Sequence, residues 1–171
     1  MYLQPKLTQM DVLHAPWRIE YIQAHNNGKK GFPIFKSIAQ SAEDEDNYVI
    51  SRTHSSFALL NKYPYNGGHV LVVPYKETAD LDSLTDDETL DLMKLVRRCK
   101  QAIRETMNPD GFNIGINLGH VAGAGIEEHL HIHIVPRWLG DINFMPAVGQ
   151  TSVLPEALLE TASKLRKSLN R

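Results

Sequence analysis

Three histidines alternate with apolar residues near position 130. His129, His131 and His133 occupy every second place in the run 128–138, with Leu or Ile between them. Successive side chains of a β-strand point to opposite faces, so this spacing predicts three imidazoles in one row and an apolar face turned to a core. Imidazole titrates near neutral pH and suits nucleophilic catalysis, acid–base catalysis or metal binding. We therefore predict that this strand carries the active site.

A segment rich in small residues, the glycine loop (residues 119–126), runs directly into the histidine row. Small side chains let backbone N–H groups approach and surround an anion. Because the loop is continuous with the row, it predicts a phosphate site beside the imidazoles. A neutral imidazole held at its far nitrogen can attack phosphorus, and His131, with a neighbour on each side, is the predicted nucleophile.

The elements that must position these residues follow from periodicity and turn signals. Short strands are predicted at residues 48–52, 57–61, 69–74, 112–118 and 128–138, with an Asn-Gly-Gly turn before His69. A capping box at Thr85 and Glu88 opens the longest helix, which Asn108-Pro109 ends, and Pro155 opens a final helix. The predicted fold class is α+β, an antiparallel five-stranded sheet with helices on one side.

The chain of 171 residues has the length of one domain. We predict an irregular N-terminal extension at residues 1–31, a core at 32–140, and a C-terminal loop and helix at 141–171. The acidic run 43–46 is predicted to be a solvated turn.

Composition narrows the class of protein. The net charge of −2 gives no broad basic field, so we expect no nucleic-acid partner. The single Cys99 excludes an intrachain disulfide and suits a reducing compartment. No apolar run reaches membrane-spanning length and the first residues lack the apolar core of a signal peptide, so we expect a cytoplasmic protein without a membrane partner.

The motif His129-Leu130-His131-Ile132-His133 resembles the signature of the histidine triad (HIT) family of nucleotide hydrolases and transferases. The likeness extends to residues 60–74, 111–119, 15–18 and 137–144, in order along the chain. It is greatest for the bacterial branch that includes diadenosine tetraphosphate phosphorylases.

The resemblance implies a role for each matching residue. His131 would form a nucleotidyl-histidine intermediate at the α-phosphorus, His129 and His133 would contact phosphate oxygens, and His69 would support the row from the next strand. Asn61 would lie near the ribose and Asn117 near the phosphate or leaving group. Backbone amides of Gly123, Ala124, Gly125 and Ile126 would bind the α-phosphate, and Trp138 would border the site or the subunit interface. The family also implies a homodimer with a sheet continuing across the interface.

Two departures from the family pattern matter. Many members of the branch carry Cys-x-x-Cys where this chain has Phe32 to Phe35, so we expect no structural zinc and predict that both Phe side chains fill core space. No cofactor is expected in the protein, and any Mg²⁺ would arrive on the substrate. The phosphorylase pattern has Gly-Ser where this chain has Ala124-Gly125, so the sequence leaves open whether water or phosphate takes the nucleotide from His131.

The function predicted from these features is cleavage of dinucleoside polyphosphates by hydrolysis or phosphorolysis at the α-phosphate. Three alternatives remain: a nucleoside phosphoramidate hydrolase, a metalloenzyme using the histidine row, and a nucleotide sensor without turnover.

Overall fold

The computed structural model describes residues 34–141 and 156–170. Its helices are α1 (Ile34–Gln40), α2 (Asp86–Met107) and α3 (Leu158–Leu169), with single 3₁₀ turns at Leu81–Ser83 and His120–Ala122. Its strands are β1 (Val49–Arg52), β2 (Ser56–Leu60), β3 (Val70–Pro74), β4 (Gly111–Ile116) and β5 (Ile132–Arg137). The predicted N-terminal extension and the loop before α3 lie outside the described residues.

All five strands form one antiparallel sheet in the order β1-β2-β3-β5-β4. The predicted α+β class is therefore confirmed. The sheet is covered on both faces in its centre, which explains why β2 and β3 are buried at every position. Alternate residues serve different layers: Ala58 and Leu60 face one apolar cluster, whereas Phe57 and Leu59 face the other.

Helices α2 and α3 pack on one face of the sheet. α2 buries a stripe at helical spacing that includes Leu92, Val96 and Ile103. Leu130, Ile132 and Ile134 belong to the same cluster, so the apolar residues between the histidines do point into the core. The predicted capping box is confirmed, because Glu88 N–H donates to the Thr85 hydroxyl and Thr85 N–H donates to the Glu88 carboxylate.

The turn before His69 requires glycine at one position. Gly68 has φ +73°, and a Cβ built there would lie 2.6 Å from the sulfur of Met107. The positive φ would strain any other residue at this position, and an added side chain would also have to displace the Met107 side chain. This close packing ties the C-terminal end of α2 to the residue before His69.

Some element boundaries differ from those predicted. The hydrogen-bonded part of β5 begins at Ile132, so His129 and His131 lie just before it instead of within it. Leu130 N–H donates to Thr78 O instead, which holds the preceding segment beside the sheet.

No helix among the described residues is both long and apolar enough to cross a membrane.

Candidate active site

A cavity of about 460 Å³ opens on the face of the sheet that carries the histidines. It lies between α1, the ends of β1 and β2, and the glycine loop. Most of its walls are apolar. The lining includes Ile34, Phe35, Ile38, Asp46, Asn47, Tyr48, Leu59, Leu60, Asn61, Lys62, Tyr63, Leu71, Gly123, Gly125, Ile126, His131 and His133.

His131 is buried and held by its own backbone. Its Nδ1 lies 2.8 Å from the carbonyl oxygen of His129. A carbonyl oxygen only accepts, so Nδ1 carries the proton, and in the neutral ring the lone pair is on Nε2. A nucleophilic imidazole was predicted to need an acceptor that holds the nitrogen remote from the attacking one. The carbonyl oxygen of His129 is such an acceptor for Nδ1 of His131. Because His131 lines the cavity, it can present Nε2 to a ligand there.

His133 and His69 form a second hydrogen-bonded chain. Tyr65 N–H donates to Nδ1 of His69 at 3.1 Å, so Nε2 of His69 carries the proton. That Nε2 lies 3.0 Å from Nδ1 of His133 and donates to it. In neutral His133 the proton is consequently on Nε2, which makes this nitrogen the donor that His133 can offer to an anion. The rings of His131 and His133 are in contact, with centroids 4.9 Å apart.

His129 is turned away from the cavity. Its Nε2 lies 2.9 Å from the carbonyl oxygen of Pro74 and donates to it. Burial lowers the pKa of His129 and outweighs the opposing effect of the Pro74 hydrogen bond, so the ring is neutral at neutral pH. Of the four predicted histidines, His131 and His133 line the cavity, while His129 and His69 lie behind them.

Two of the four backbone amides in residues 123–126 are not used in hydrogen bonds within the glycine loop. Gly123 N–H donates to His120 O and Ala124 N–H donates to Gly119 O, so these amides are used within the loop. The amides of Gly125 and Ile126 have no acceptor within the described part of the chain, and both residues line the cavity. Gly123 adopts φ +86°, which reverses the chain before these amides. Of the four amides predicted to bind the α-phosphate, those of Gly125 and Ile126 are therefore the two that are not used within the glycine loop.

The remaining predicted residues fall into three places. Asn61 lines the cavity, and its Oδ1 accepts from Tyr63 N–H at 2.9 Å. Asn117 donates to Gly123 O at 3.3 Å and so supports the glycine loop from behind. Trp138 is half-buried beyond the end of β5, outside the cavity lining, where its backbone N–H donates to the Asp141 carboxylate. His120 is exposed and pairs with Glu127 at 3.0 Å.

Phe35 connects the cavity wall to the histidine row. It is buried, as predicted, and its ring centroid lies 5.2 Å from that of His131 and 5.5 Å from that of His129. Phe32 lies outside the described residues. The prediction treated Phe35 only as core, and the sequence contains no signal for its contact with both rings, since α1 and the row are about 95 positions apart in the chain.

The position of α1 depends on Arg52. Its guanidinium donates to the carbonyl oxygens of Ile38, Ala39 and Ser41 at the end of α1, and pairs with Asp44 at 2.7 Å. The hydrogen bond with Asp44 raises the pKa of Arg52 further, so the side chain is always charged. A cation at this end of a helix satisfies carbonyl groups that have no helical partner.

The acidic run 43–46 is a turn, as predicted, but one of its side chains forms an ion pair and another of its residues lines the cavity. Asp44 orients Arg52, and Asp46 and the following Asn47 line the cavity. A run of charges gives no indication of which member faces a cavity, which is why the sequence did not single out these residues.

Within residues 34–141 and 156–170, no group of three or more His, Cys, Asp or Glu side chains is arranged to hold a metal ion. In the histidine row, backbone carbonyls already engage Nδ1 of His131 and Nε2 of His129.

Comparison with known proteins places these features in a family. The HIT domain model matches residues 42–138. The chain is 39% identical over 159 residues to a protein of Mycobacterium tuberculosis named AP-4-A phosphorylase, covering 90% of this chain and 81% of that one. It is also 39% identical over 95 residues to a bis(5'-nucleosyl)-tetraphosphatase (asymmetrical) of Schizosaccharomyces pombe, covering 56% of this chain and 52% of that protein.

Among solved structures, a Zn-bound histidine triad family protein from Mycobacterium smegmatis superimposes with a TM-score of 0.63 at 27% identity, covering 80% of this chain and 92% of that one. The sheet, the histidine row and these matches agree, and the chain belongs to the histidine triad (HIT) family.

Proposed function

We propose that the protein cleaves dinucleoside 5'-polyphosphates such as diadenosine tetraphosphate at the α-phosphate. The observation that carries this proposal is the hydrogen bond from His131 Nδ1 to His129 O at 2.8 Å, which leaves the Nε2 lone pair as the nucleophile of a residue lining the cavity. The names of the relatives in Mycobacterium tuberculosis and Schizosaccharomyces pombe support the substrate class.

The proposed reaction has two displacements at phosphorus. Nε2 of His131 attacks the α-phosphorus, forming an N–P bond as the P–O bond to the polyphosphate leaving group breaks. An acceptor oxygen then displaces the histidine and regenerates the neutral ring. Developing negative charge on the phosphate oxygens is stabilised by the amides of Gly125 and Ile126 and by Nε2–H of His133. His129 and His69 act by holding the two catalytic rings in one tautomer.

The apolar part of the cavity is proposed to hold the nucleoside. Ile34, Phe35 and Leu59 present apolar surface that a base can stack on, and Asn61 lines the same cavity and is proposed to contact the ribose. About 460 Å³ is enough for one nucleotide, so the second half of a dinucleoside substrate would extend into solvent or toward a partner chain.

Product analysis tests the proposal. The protein is incubated with diadenosine tetraphosphate, with and without orthophosphate, and AMP, ADP and ATP are resolved. ATP with ADP, formed only when phosphate is present, indicates phosphorolysis, whereas ATP with AMP indicates hydrolysis. The same substitution at an exposed histidine in the β1–β2 turn, His54→Asn, is the matched control for His131→Asn. Absence of cleavage under both conditions would refute the proposal.

We also propose that no resident metal takes part. The expected result is activity that survives chelation once Mg²⁺ is resupplied with the substrate. Loss of activity that zinc or iron restores but Mg²⁺ does not would contradict this.

A homodimer is proposed from the outer strand β4. Its far edge has no pairing strand in the described part of the chain, and Ile114 and Leu118 are 44% and 47% exposed. An apolar strand edge of this kind favours pairing with a second sheet. Light scattering should give twice the chain mass, and Ile114→Lys should yield monomers. A monomeric wild-type protein would exclude the dimer.

A cytoplasmic location is proposed from the cysteine content, one buried thiol and no disulfide. Fractionation of cells that express the protein tests it.

A further inference from the structure

The end of the cavity remote from the histidines is built from the turn that precedes β1. In the sheet order β1-β2-β3-β5, three strand spacings separate β1 from the histidine strand, which corresponds to about 14 Å. A nucleotide with its phosphate at His131 and its ribose near Asn61 would therefore direct the edge of its base toward Asp46 and Asn47, which line the cavity there.

The side chain of Asn47 offers only an acceptor at this place. Its Nδ2 donates to Ser41 Oγ at 3.3 Å and to Glu43 O at 2.8 Å. The Glu43 carbonyl cannot donate, so the amide orientation is fixed, and both N–H groups are used within the turn. The remaining polar atom, Oδ1, can accept from a ligand but cannot donate to one.

Asp46 adds a second acceptor. It is the next residue to Asn47, it is exposed at the rim of the cavity, and no group in the described ranges hydrogen-bonds its carboxylate. An ionised carboxylate has acceptor oxygens and no donor. The side chains of Ile34 and Ile38 in the cavity wall carry no hydrogen-bonding group, and Tyr48 packs against the apolar cluster on the α2 side of the sheet.

We propose that Asp46 and Asn47 select the base, favouring adenine and cytosine over hypoxanthine and uracil. The exocyclic amine of adenine or cytosine has two N–H donors, which match the two acceptors. Hypoxanthine and uracil carry a carbonyl oxygen at the same ring position, and this oxygen would face an acceptor, because their single adjacent ring N–H can satisfy only one of the two acceptors. This inference takes one point from the proposed function, namely that the cavity binds a 5'-nucleotide.

Calorimetric binding of AMP and IMP, whose bases differ at the exocyclic group on C6 and at the adjacent N1, which bears a proton only in IMP, tests the inference on the full chain. Wild-type protein is expected to bind AMP about fivefold to tenfold more tightly than IMP. In Asp46→Asn the new amide can donate to the IMP carbonyl, so the AMP-to-IMP ratio should fall to about one. Glu45→Gln removes the same charge from the adjacent residue, which does not line the cavity, and should keep the wild-type ratio.

Both variants remove a negative charge near an anionic ligand, so both should change the affinity for AMP and for IMP through this general effect. Only a change in base recognition alters the ratio of the two affinities. Equal affinity for AMP and IMP in the wild type, failure to bind either, or a ratio that Asp46→Asn and Glu45→Gln change alike would overturn the proposal. Binding requires no turnover, so an AMP preference in a protein that cleaves no dinucleotide would support this inference while refuting the proposed function.

Discussion

Nδ1 of His131 donates to the carbonyl oxygen of His129 across 2.8 Å. The bond joins residues two positions apart, so it depends on the extended backbone between them and on Leu130 being held by Thr78 O. It determines which imidazole nitrogen bears a lone pair in the cavity. The backbone of the row therefore orients the ring that the side-chain pattern marks as the nucleophile.

The hydrogen-bonded chain behind His133 predicts a graded response at His69. His69→Leu removes the donor to His133 Nδ1, so the His133 proton is no longer confined to Nε2, and kcat should fall about tenfold or more with little change in KM. His69→Gln can still donate through its amide and should recover part of the loss. Steady-state kinetics of both variants, with circular dichroism to confirm folding, gives the comparison. Equal rates in the Leu and Gln variants would show that His69 only fills space.

Phe35 is predicted to affect turnover and binding together. Phe35→Leu removes the ring that contacts His129 and His131 and alters one cavity wall, at a cost of about 1 kcal/mol in the free energy of unfolding. Both kcat and nucleotide affinity should decrease. Phe57→Leu is the matched control, because Phe57 lies in the same apolar cluster but is stacked on Tyr75, outside the cavity lining. If both variants lose stability alike and Phe35→Leu keeps full activity, the positioning role is refuted.

Arg52→Lys should weaken nucleotide binding from a distance. Lysine cannot donate to Asp44 and to three carbonyl groups in the planar geometry of guanidinium, so the C-terminal end of α1 loses its cap. We expect a loss of about 2 kcal/mol in the free energy of unfolding by urea and a several-fold weaker affinity for AMP. Arg97→Lys, on the exposed face of α2, should change neither quantity. Unchanged AMP affinity in Arg52→Lys would show that α1 needs no such anchor.

Asp91 predicts a pH-dependent contribution to stability. Partial burial acts to raise the pKa of Asp91, but hydrogen bonds from Thr53, Ser55 and Ser56 outweigh it and lower the pKa from 3.8 to about 2. A depressed folded-state pKa stabilises the protein above the unfolded value, so this contribution, about 2 kcal/mol, is present at neutral pH and is lost as the pH falls from about 4 toward 2. Asp91→Asn should therefore lower the free energy of unfolding at pH 7, and its difference from the wild type should shrink at low pH. A difference that is constant between pH 7 and pH 3 would contradict the assignment.

The architecture was largely predictable because its signals are local and repeated. Alternation around His131, helical spacing in α2 and the capping box at Thr85 each determine a segment from its own residues, and the structure confirms all three. The strand boundaries were predicted less accurately. The segment with His129 and His131 is extended, but Leu130 N–H donates to Thr78 O and not to a neighbouring strand of the sheet. Extended backbone and hydrogen-bonded strand give the same side-chain alternation.

The histidines and Asn61 in the cavity lining were predicted, whereas the end of the cavity formed by α1 and the turn after it was not. Phe35, Asp46 and Asn47 reach the cavity only because α1 and the turn after it fold back over the sheet, and Arg52 holds them there. Such contacts between distant segments leave no periodic pattern in the chain. The sequence also could not show that the amides of Gly123 and Ala124 are used within the glycine loop, because this depends on the φ of Gly123.

The most direct test of the central claim is a search for the covalent intermediate. Enzyme mixed with diadenosine tetraphosphate without orthophosphate is quenched in alkaline denaturant, which preserves an N–P bond, digested, and analysed by mass spectrometry. We predict an adenylyl group on the peptide that contains His131, with fragmentation placing it on that residue and no adduct in His131→Asn. Turnover by the wild type with no adduct at any quench time, together with wild-type rates in His131→Asn, would contradict the account.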